Sequence, residues 1–275
     1  MNELALWRRL VAELLGSALL ATTVIGSGIA AQRLSPGDVG LQLFENAAAT
    51  AAGLFAIILM IGPISGAHIN PVVSLVDAGF GGLRWRHALA YLPAQVVGCV
   101  GGAVLANLMF SSAAVSISTK ARASGPHFLS EVIATIGLLL VIFALARTGR
   151  SRLAPAAVGT YIGAAYFFTS STGFANPAIT VGRIFSNSFA GIAPSSATVF
   201  IAAQVVGGAV AFGMIKALYP KITAAEAAQV VVPHAGAPSD VRVMAETGRT
   251  REWPSGGSLP VHAQCWTEPG RPSSA

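Results

Sequence analysis

The chain has 275 residues, of which 53% are hydrophobic and only 10% are charged, and its formal net charge is +6. So few charges cannot coat a soluble surface, where about 25% of residues are charged. The cations lie between apolar segments and in the tail, without the basic stripe of a nucleic-acid-binding protein. The two cysteines, Cys99 and Cys265, offer neither a disulfide framework nor metal-ligand spacing.

Six apolar segments are long enough to cross a bilayer, whose hydrocarbon core of about 30 Å requires about 20 helical residues. All six are rich in glycine and alanine, which lets transmembrane helices approach closely. The sequence therefore predicts a tight helical bundle in a membrane. The predicted spans are 7–31, 42–62, 85–109, 128–146, 153–171 and 194–218.

Two further apolar stretches, 72–78 and 178–189, are too short to span a membrane. The first directly follows Asn70-Pro71 and the second directly follows Asn176-Pro177. Asparagine is a strong helix N-cap, and proline suits the first helical turn because its missing N–H would be unpaired there. The pattern predicts two half-helices that begin inside the membrane.

The positive charges predict the orientation, because cytoplasmic loops carry an excess of lysine and arginine. With six spans, nine cations near the spans lie on the side of the termini and four lie on the other side. Both termini are therefore expected in the cytoplasm, at the inner membrane of the cell. The nine are Arg8, Arg9, Arg84, Arg86, Arg147, Arg150, Arg152, Lys216 and Lys221, and the four are Arg33, Lys120, Arg122 and Arg183.

Residues 1–220 form the predicted membrane domain, and residues 221–275 form a predicted disordered cytoplasmic tail. The tail is rich in proline, glycine, serine and threonine. Such a composition buries too little apolar surface to offset the entropy of ordering the chain.

The membrane domain contains an internal repeat. The first half carries Glu13, then SGAHINPVV, then PAQVVGCVGGA, and the second half carries Glu131, then TGFANPAIT, then AAQVVGGAVAF. Three spans per half place the two copies in opposite orientations, which predicts a binding or conduction site near the midplane.

These paired motifs resemble those of the major intrinsic protein family, the aquaporins and aquaglyceroporins, over residues 7–218. The resemblance implies an all-α membrane protein with an aquaporin-like inverted repeat of six transmembrane helices and two re-entrant half-helices. It also implies a homotetramer in the lipid bilayer, with one pore for small neutral solutes per subunit and no cofactor or metal.

The sequence departs from the family pattern in both motifs. The first has Asn70-Pro71-Val72 where the family usually has Asn-Pro-Ala, whereas the second keeps Ala178 after Pro177. The arginine that usually follows the second motif is replaced by Ile179.

By resemblance, the narrowest part of the pore is formed by Thr50, by Ala164 or Ala165, by Phe174 and by Ile179. These residues predict a selectivity filter that is wider, less polar and uncharged compared with that of water-selective members. We expect such a filter to favour neutral polyols or larger neutral hydroxides over strict water selectivity.

Four polar residues near the half-helices have two interpretations each. Arg183 either charges the outer vestibule, partly replacing the missing arginine, or extends toward water at the interface. Glu13 and Glu131 either couple transport to protons or, as the resemblance suggests, accept hydrogen bonds from the loops beside the half-helices. His68 either lines the inner pore, where it could sense pH, or holds its loop.

The leading functional hypothesis is a passive channel for glycerol-like polyols with some water. The segment NPAITVGRIF is similar to that of bacterial aquaglyceroporins associated with arsenic resistance, which adds arsenous acid as a candidate solute. The alternatives are a water-selective aquaporin, a proton-coupled transporter that uses Glu13 and Glu131, and a structural membrane protein with a closed pore. An enzyme is disfavoured because no nucleophile–base pair, metal spacing or phosphate-binding loop is present.

Overall fold

The computed structural model describes residues 4–220, so the predicted tail, 221–275, lies outside the described residues. Within 4–220 the chain forms helices and connecting loops without a β-strand, which confirms the all-α prediction. The eight α-helices are α1 (Leu6–Leu34), α2 (Val39–Ser65), α3 (Pro71–Phe80), α4 (Trp85–Met109), α5 (Gly125–Arg147), α6 (Ala154–Phe168), α7 (Pro177–Gly182) and α8 (Pro194–Leu218). Short 3-10 turns precede α6, at Ser151–Leu153, and follow α7, at Arg183–Phe185.

Each of the six predicted spans coincides with a helix. Five of these helices, α1, α2, α4, α5 and α8, are long and apolar enough to cross a membrane. Helix α6 is shorter, with 15 residues, or about 22 Å at 1.5 Å per residue. The 3-10 turn at Ser151–Leu153 lengthens this segment at its start.

Glycines at matching places in the two halves bring the long helices into backbone contact. A Cβ on Gly98 of α4 would lie 2.3 Å from the carbonyl oxygen of Leu14 in α1, and a Cβ on Gly207 of α8 would lie 2.8 Å from that of Val132 in α5. Both glycines end a QVVG string. The expected close packing through small residues is therefore present in both halves of the repeat.

The two short helices begin at the two Asn-Pro motifs, as predicted, but α7 is shorter than expected. It ends at Gly182, and the chain continues through a 3-10 turn into a loop rather than as helix to residue 189. The carbonyl oxygens of Ile184 and Phe185 accept hydrogen bonds from the loop that follows α4, through the N–H groups of Ser118 and Ser116. Continued α-helix would require those carbonyl oxygens for its own hydrogen bonds.

Candidate functional site: a pore at the meeting point of the half-helices

The two Asn-Pro asparagines lie in the wall of one internal cavity and join the half-helices to each other. The side-chain nitrogen of Asn70 donates to the carbonyl oxygen of Ala175 at 2.8 Å, and that of Asn176 donates to the carbonyl oxygen of Ile69 at 2.8 Å. Each side-chain oxygen also caps its own helix, Asn70 from Val72 N–H and Asn176 from Ala178 N–H. An amide nitrogen carries two donors, so each asparagine keeps one N–H for a molecule in the cavity.

The residues just before the asparagines adopt unusual backbone conformations that aim these side chains. Ile69 has φ 40° and Ala175 has φ 48°, in the left-handed region that costs a non-glycine residue about 1–2 kcal/mol. Their N–H groups are held by the two buried carboxylates. Ile69 N–H donates to Glu13 at 2.6 Å, and Ala175 N–H donates to Glu131 at 2.9 Å.

Each carboxylate accepts further bonds from its loop, so the geometry of Glu13 and Glu131 matches the loop-supporting interpretation. Glu13 also accepts from His68 N–H at 3.0 Å, and Glu131 also accepts from Phe174 N–H at 2.9 Å. Both side chains are fully buried. Charge-assisted hydrogen bonds of this kind are about twice as strong as neutral ones, which offsets the strained backbone.

Two glutamines that the sequence analysis did not single out complete these networks. Gln95 of α4 donates to Glu13 at 2.8 Å and to the Ser74 hydroxyl at 3.1 Å. Gln204 of α8 donates to Glu131 at 2.7 Å and to the Thr180 hydroxyl at 3.0 Å. Their matching QVVG strings were the available signal, because pseudo-symmetric polar residues in apolar spans need buried partners.

The cavity is largely apolar and has a volume of about 60 Å³. Since one water needs about 10–15 Å³ of such space, the cavity has room for a few water-sized groups. Polar groups interrupt the apolar wall at the two asparagines, at His68 and at the Arg183 end. The apolar side chains of the wall include Leu20, Val24, Leu54, Ile58, Val73, Leu138, Ile142, Val158 and Ile162.

Three of the predicted filter residues, Thr50, Phe174 and Ile179, line this cavity. Neither alanine predicted for the fourth place does. Ala164 is exposed. Ala165 is buried against Gly173, where an added Cβ on the glycine would lie 2.5 Å from the Cβ of Ala165. Tyr166 lines the cavity instead, and its hydroxyl lies 3.0 Å from the Thr50 hydroxyl.

Of the two interpretations of Arg183, the geometry matches a charge beside the pore rather than a side chain that extends toward water at the membrane interface. Its side chain is only 2% exposed, and it lines the cavity. Its guanidinium carbon lies 3.4 Å from the centre of the Phe174 ring, and Nε donates to the carbonyl oxygen of Ala190. This end of the cavity therefore carries a positive charge, contrary to the predicted uncharged filter.

His68 lines the opposite part of the cavity and lies beside a carboxylate that sequence reasoning overlooked. Its Nε2 lies 3.4 Å from Asp77 of α3, and its Nδ1 lies 3.1 Å from the Ser74 hydroxyl. Asp77 is fully buried and stands seven residues after Asn70, as Arg183 stands seven residues after Asn176. An acidic residue on α3 and a basic residue just beyond α7 thus occupy equivalent positions after the two Asn-Pro motifs.

Val72, the departure from Asn-Pro-Ala, does not line the cavity and packs against α8. A Cβ on Gly208 would lie 2.5 Å from a methyl carbon of Val72. The absence of a side chain at Gly208 therefore makes room for the larger residue. Ala178, its counterpart in the second motif, is fully buried and donates its N–H to Asn176.

Known proteins resemble this chain in sequence and in fold. A family model described as major intrinsic protein matches residues 1–175. The chain is 44% identical over 216 residues to aquaglyceroporin AqpS of Rhizobium meliloti (strain 1021), covering 78% of this chain and 92% of that one. It is 32% identical over 181 residues to the probable aquaporin NIP7-1 of Arabidopsis thaliana, covering 64% and 65%.

Among solved structures, the fold is similar to that of the aquaglyceroporin from Plasmodium falciparum. The TM-score is 0.56, and the match covers 78% of this chain and 98% of the other at 21% sequence identity. At that identity the similarity shows the fold alone.

Proposed function

We propose that this chain, which belongs to the major intrinsic protein family, is a passive membrane channel for glycerol-like polyols and some water. The observation that carries this proposal is the pair of asparagine side chains in the wall of an otherwise apolar cavity. Each has one N–H committed to the opposite half-helix and a second available to a solute oxygen.

The wall favours neutral solutes over ions. A solute that enters the pore loses hydrogen bonds to water, and the apolar side chains cannot replace them. Hydroxyl groups recover part of that loss from the asparagine donors. An ion recovers too little, since burying an unpaired charge costs far more than burying a hydroxyl.

The end of the cavity near Phe174 is proposed to set which neutral solutes enter. Ile179 and Phe174 offer apolar surface to carbon atoms, while Thr50 and Tyr166 offer hydroxyl groups to solute oxygens. A polyol has both kinds of group, with C–H groups along one edge and hydroxyl groups along the other. Arsenous acid, a neutral trihydroxide of similar size, fits the same surfaces and is proposed as a further solute.

Arg183 is proposed to act as the charged residue of the filter in place of Ile179. Only its Nε donates to a protein acceptor among the described residues, so its terminal nitrogens are left for the cavity. The positive charge would repel cations, and the free donors would bind solute oxygens. This arrangement supports a filter that remains selective against cations although position 179 is apolar.

The hydrogen bonds of Glu13 and Glu131 argue against proton-coupled transport. Their oxygens accept from backbone N–H groups and glutamine amides that lose their acceptor if the carboxylate is protonated and turns away. A strictly water-selective pore is less well supported, because the most similar relative reported above is an aquaglyceroporin.

The cellular setting is proposed from the charge distribution and the family. The nine-to-four bias of cations supports an inner-membrane protein with both termini in the cytoplasm. The apolar outer faces of the helices, with exposed residues such as Leu59 and Val97, suit a lipid environment or a partner subunit. A homotetramer with one pore per subunit is the proposed assembly.

Stopped-flow light scattering of proteoliposomes tests the proposed function. Inward gradients of glycerol and of arsenous acid are applied in turn, and water permeability is recorded on the same vesicles. Solute influx well above that of empty vesicles, without proton conductance, is expected. Water permeation with both solutes excluded would show that the pore is water-selective.

A further inference from the structure

Three cations converge at the Phe174 end of the pore, from two different loops. Lys120 and Arg122 lie in the segment between α4 and α5, and Arg183 lies in the turn after α7. Arg122 has its guanidinium carbon 5.4 Å from the Phe174 ring centre, so two guanidinium groups lie against one aromatic ring. We refer to Lys120, Arg122 and Arg183 as the cationic mouth.

Backbone carbonyl groups hold the three cations in place. Phe189 accepts from Lys120 Nζ at 2.9 Å and from Arg122 Nη2 at 3.0 Å, Gly191 accepts from Arg122 Nε at 2.9 Å, and Ala190 accepts from Arg183. These contacts fix the side chains but supply only partial negative charges. The cationic mouth is therefore positioned before any ligand arrives.

No carboxylate lies within ion-pair distance of these three cations in the part of the chain that the structure describes. The charge of Glu131 acts on both guanidinium groups, but its oxygens are already bonded to two backbone N–H groups and to Gln204. Arg183 thus lines the pore cavity, while Arg122 lies against the same Phe174 ring and shares the Phe189 carbonyl with Lys120, and none of the three has an ion-pair partner among residues 4–220. Consistent with that, burial and then the two neighbouring arginines lower the pKa of Lys120 to about 8.

We propose that the cationic mouth is a binding site for a small oxyanion, which occupies the pore entrance and blocks the passage of neutral solutes. Guanidinium groups present planar pairs of donors that match oxyanions, and Arg122 Nη1 and both terminal nitrogens of Arg183 have no acceptor among the described residues. The bound anion does not pass, because the apolar wall beyond Ile179 cannot replace its hydration. Occupancy of the cationic mouth would therefore lower polyol influx.

This inference rests on the proposed channel function, so its test has one readout that needs transport and one that does not. Sulfate is the probe, and chloride at equal ionic strength and osmolarity is the reference. Both anions are present on both faces of phosphatidylcholine vesicles, which contain no anionic headgroup. Glycerol influx is followed by light scattering, and the midpoint of thermal unfolding is measured on detergent-solubilised protein.

The variants are Arg122→Gln and Lys120→Gln, with Arg33→Gln as the matched control. Arg33 also donates to a backbone carbonyl oxygen, that of Phe110, and its guanidinium carbon lies 5.3 Å from that ring. It does not line the pore cavity. The control therefore loses the same kinds of contact without altering the cationic mouth.

Sulfate is expected to lower glycerol influx relative to chloride in the wild type and in Arg33→Gln. In Arg122→Gln the half-inhibitory sulfate concentration should rise by about tenfold, as expected for the loss of a strong charge-assisted hydrogen bond. Sulfate should also raise the unfolding temperature more in the wild type than in Arg122→Gln, because a ligand stabilises the state that binds it.

Equal glycerol influx in sulfate and chloride, with equal thermal shifts in all variants, would overturn the oxyanion site. If sulfate raises the unfolding temperature of the solubilised protein in a way that depends on Arg122, but the vesicles show no glycerol influx, the oxyanion site stands and the proposed channel function is rejected. Inhibition by added phosphatidylglycerol but not by sulfate would assign the cationic mouth to a lipid headgroup and overturn binding of a free oxyanion.

Discussion

Replacement of Glu131 by glutamine tests whether this carboxylate has a structural role or carries protons. Glu131 Oε1 accepts from Phe174 N–H, and Oε2 accepts from Ala175 N–H and the Gln204 amide, at 2.7 to 2.9 Å. A glutamine side chain keeps one acceptor oxygen and places an NH₂ group at the other position. In either orientation, at least one buried N–H then faces a donor instead of an acceptor.

The expected cost follows from this donor count. A buried donor without an acceptor costs about 1–3 kcal/mol. The remaining bonds lose their charge assistance, which halves their strength. We expect Glu131→Gln to lower the free energy of unfolding by about 2–4 kcal/mol in total. The released loop should also misplace Phe174 and Asn176, which lowers glycerol influx.

The assay compares denaturant unfolding in detergent with glycerol influx in vesicles, for Glu131→Gln and for Glu45→Gln. Glu45 accepts one hydrogen bond, from the Ser35 hydroxyl at 2.7 Å, and an amide oxygen can accept that bond equally well. The control should therefore stay within about 0.5 kcal/mol of the wild type. Wild-type stability in Glu131→Gln, together with loss of only proton-gradient-driven uptake, would refute the structural role.

Three further predictions concern the packing, the filter and the cationic mouth. Gly208→Ala should lower the free energy of unfolding by about 1–3 kcal/mol, because the new Cβ would lie 2.5 Å from a methyl carbon of Val72. Adding Val72→Ala should restore most of that loss. If the two substitutions lower the free energy of unfolding additively, this contact is contradicted. Ile179→Arg should lower glycerol influx more than water permeability, and an unchanged solute profile in vesicle swelling would show that Ile179 does not set selectivity. Inhibition by sulfate should weaken from about pH 7 to about pH 9, because Lys120 loses its charge above its pKa of about 8. The Lys120→Gln variant should show no such pH dependence. Equal weakening in that variant would assign the titration to another group.

The positions of the helices could be predicted from the sequence because they depend on local rules. Hydropathy over about 20 residues identifies the spans, and an asparagine followed by proline marks the start of each half-helix. The internal repeat likewise predicted that Glu13 and Glu131 occupy equivalent places. Each of these inferences needs only neighbouring residues or a comparison of the two halves.

The end of α7 could not be predicted in this way. Apolar residues continue to position 189, but the loop after α4 takes the carbonyl oxygens of Ile184 and Phe185. The turn at Arg183 is therefore 3-10 rather than α-helical, and it directs the guanidinium against Phe174. Because α7 ends at Gly182, helical spacing from Ile179 does not predict where the Arg183 side chain lies.

The rotation of α6 is a second feature decided by packing. Ala164 and Ala165 are neighbours of Tyr166 in the sequence, and which of them faces the pore depends on how α6 lies against α2. A Cβ on Gly159 would lie 2.7 Å from the carbonyl oxygen of Ala51, so this face of α6 turns toward α2. Tyr166 then reaches the pore and Ala164 is exposed.

The sequence by itself determined the class of fold, the two half-helices and the polar residues at their starts, since hydropathy and helix capping act over short distances. The tertiary structure decided the charge at the Phe174 end of the pore. Arg183, Arg122 and Lys120 are separated by up to 63 positions in the chain, and only the folded loops bring them together. Their convergence depends on carbonyl groups of Phe189, Ala190 and Gly191, which have no signature in the sequence because every residue carries a carbonyl group.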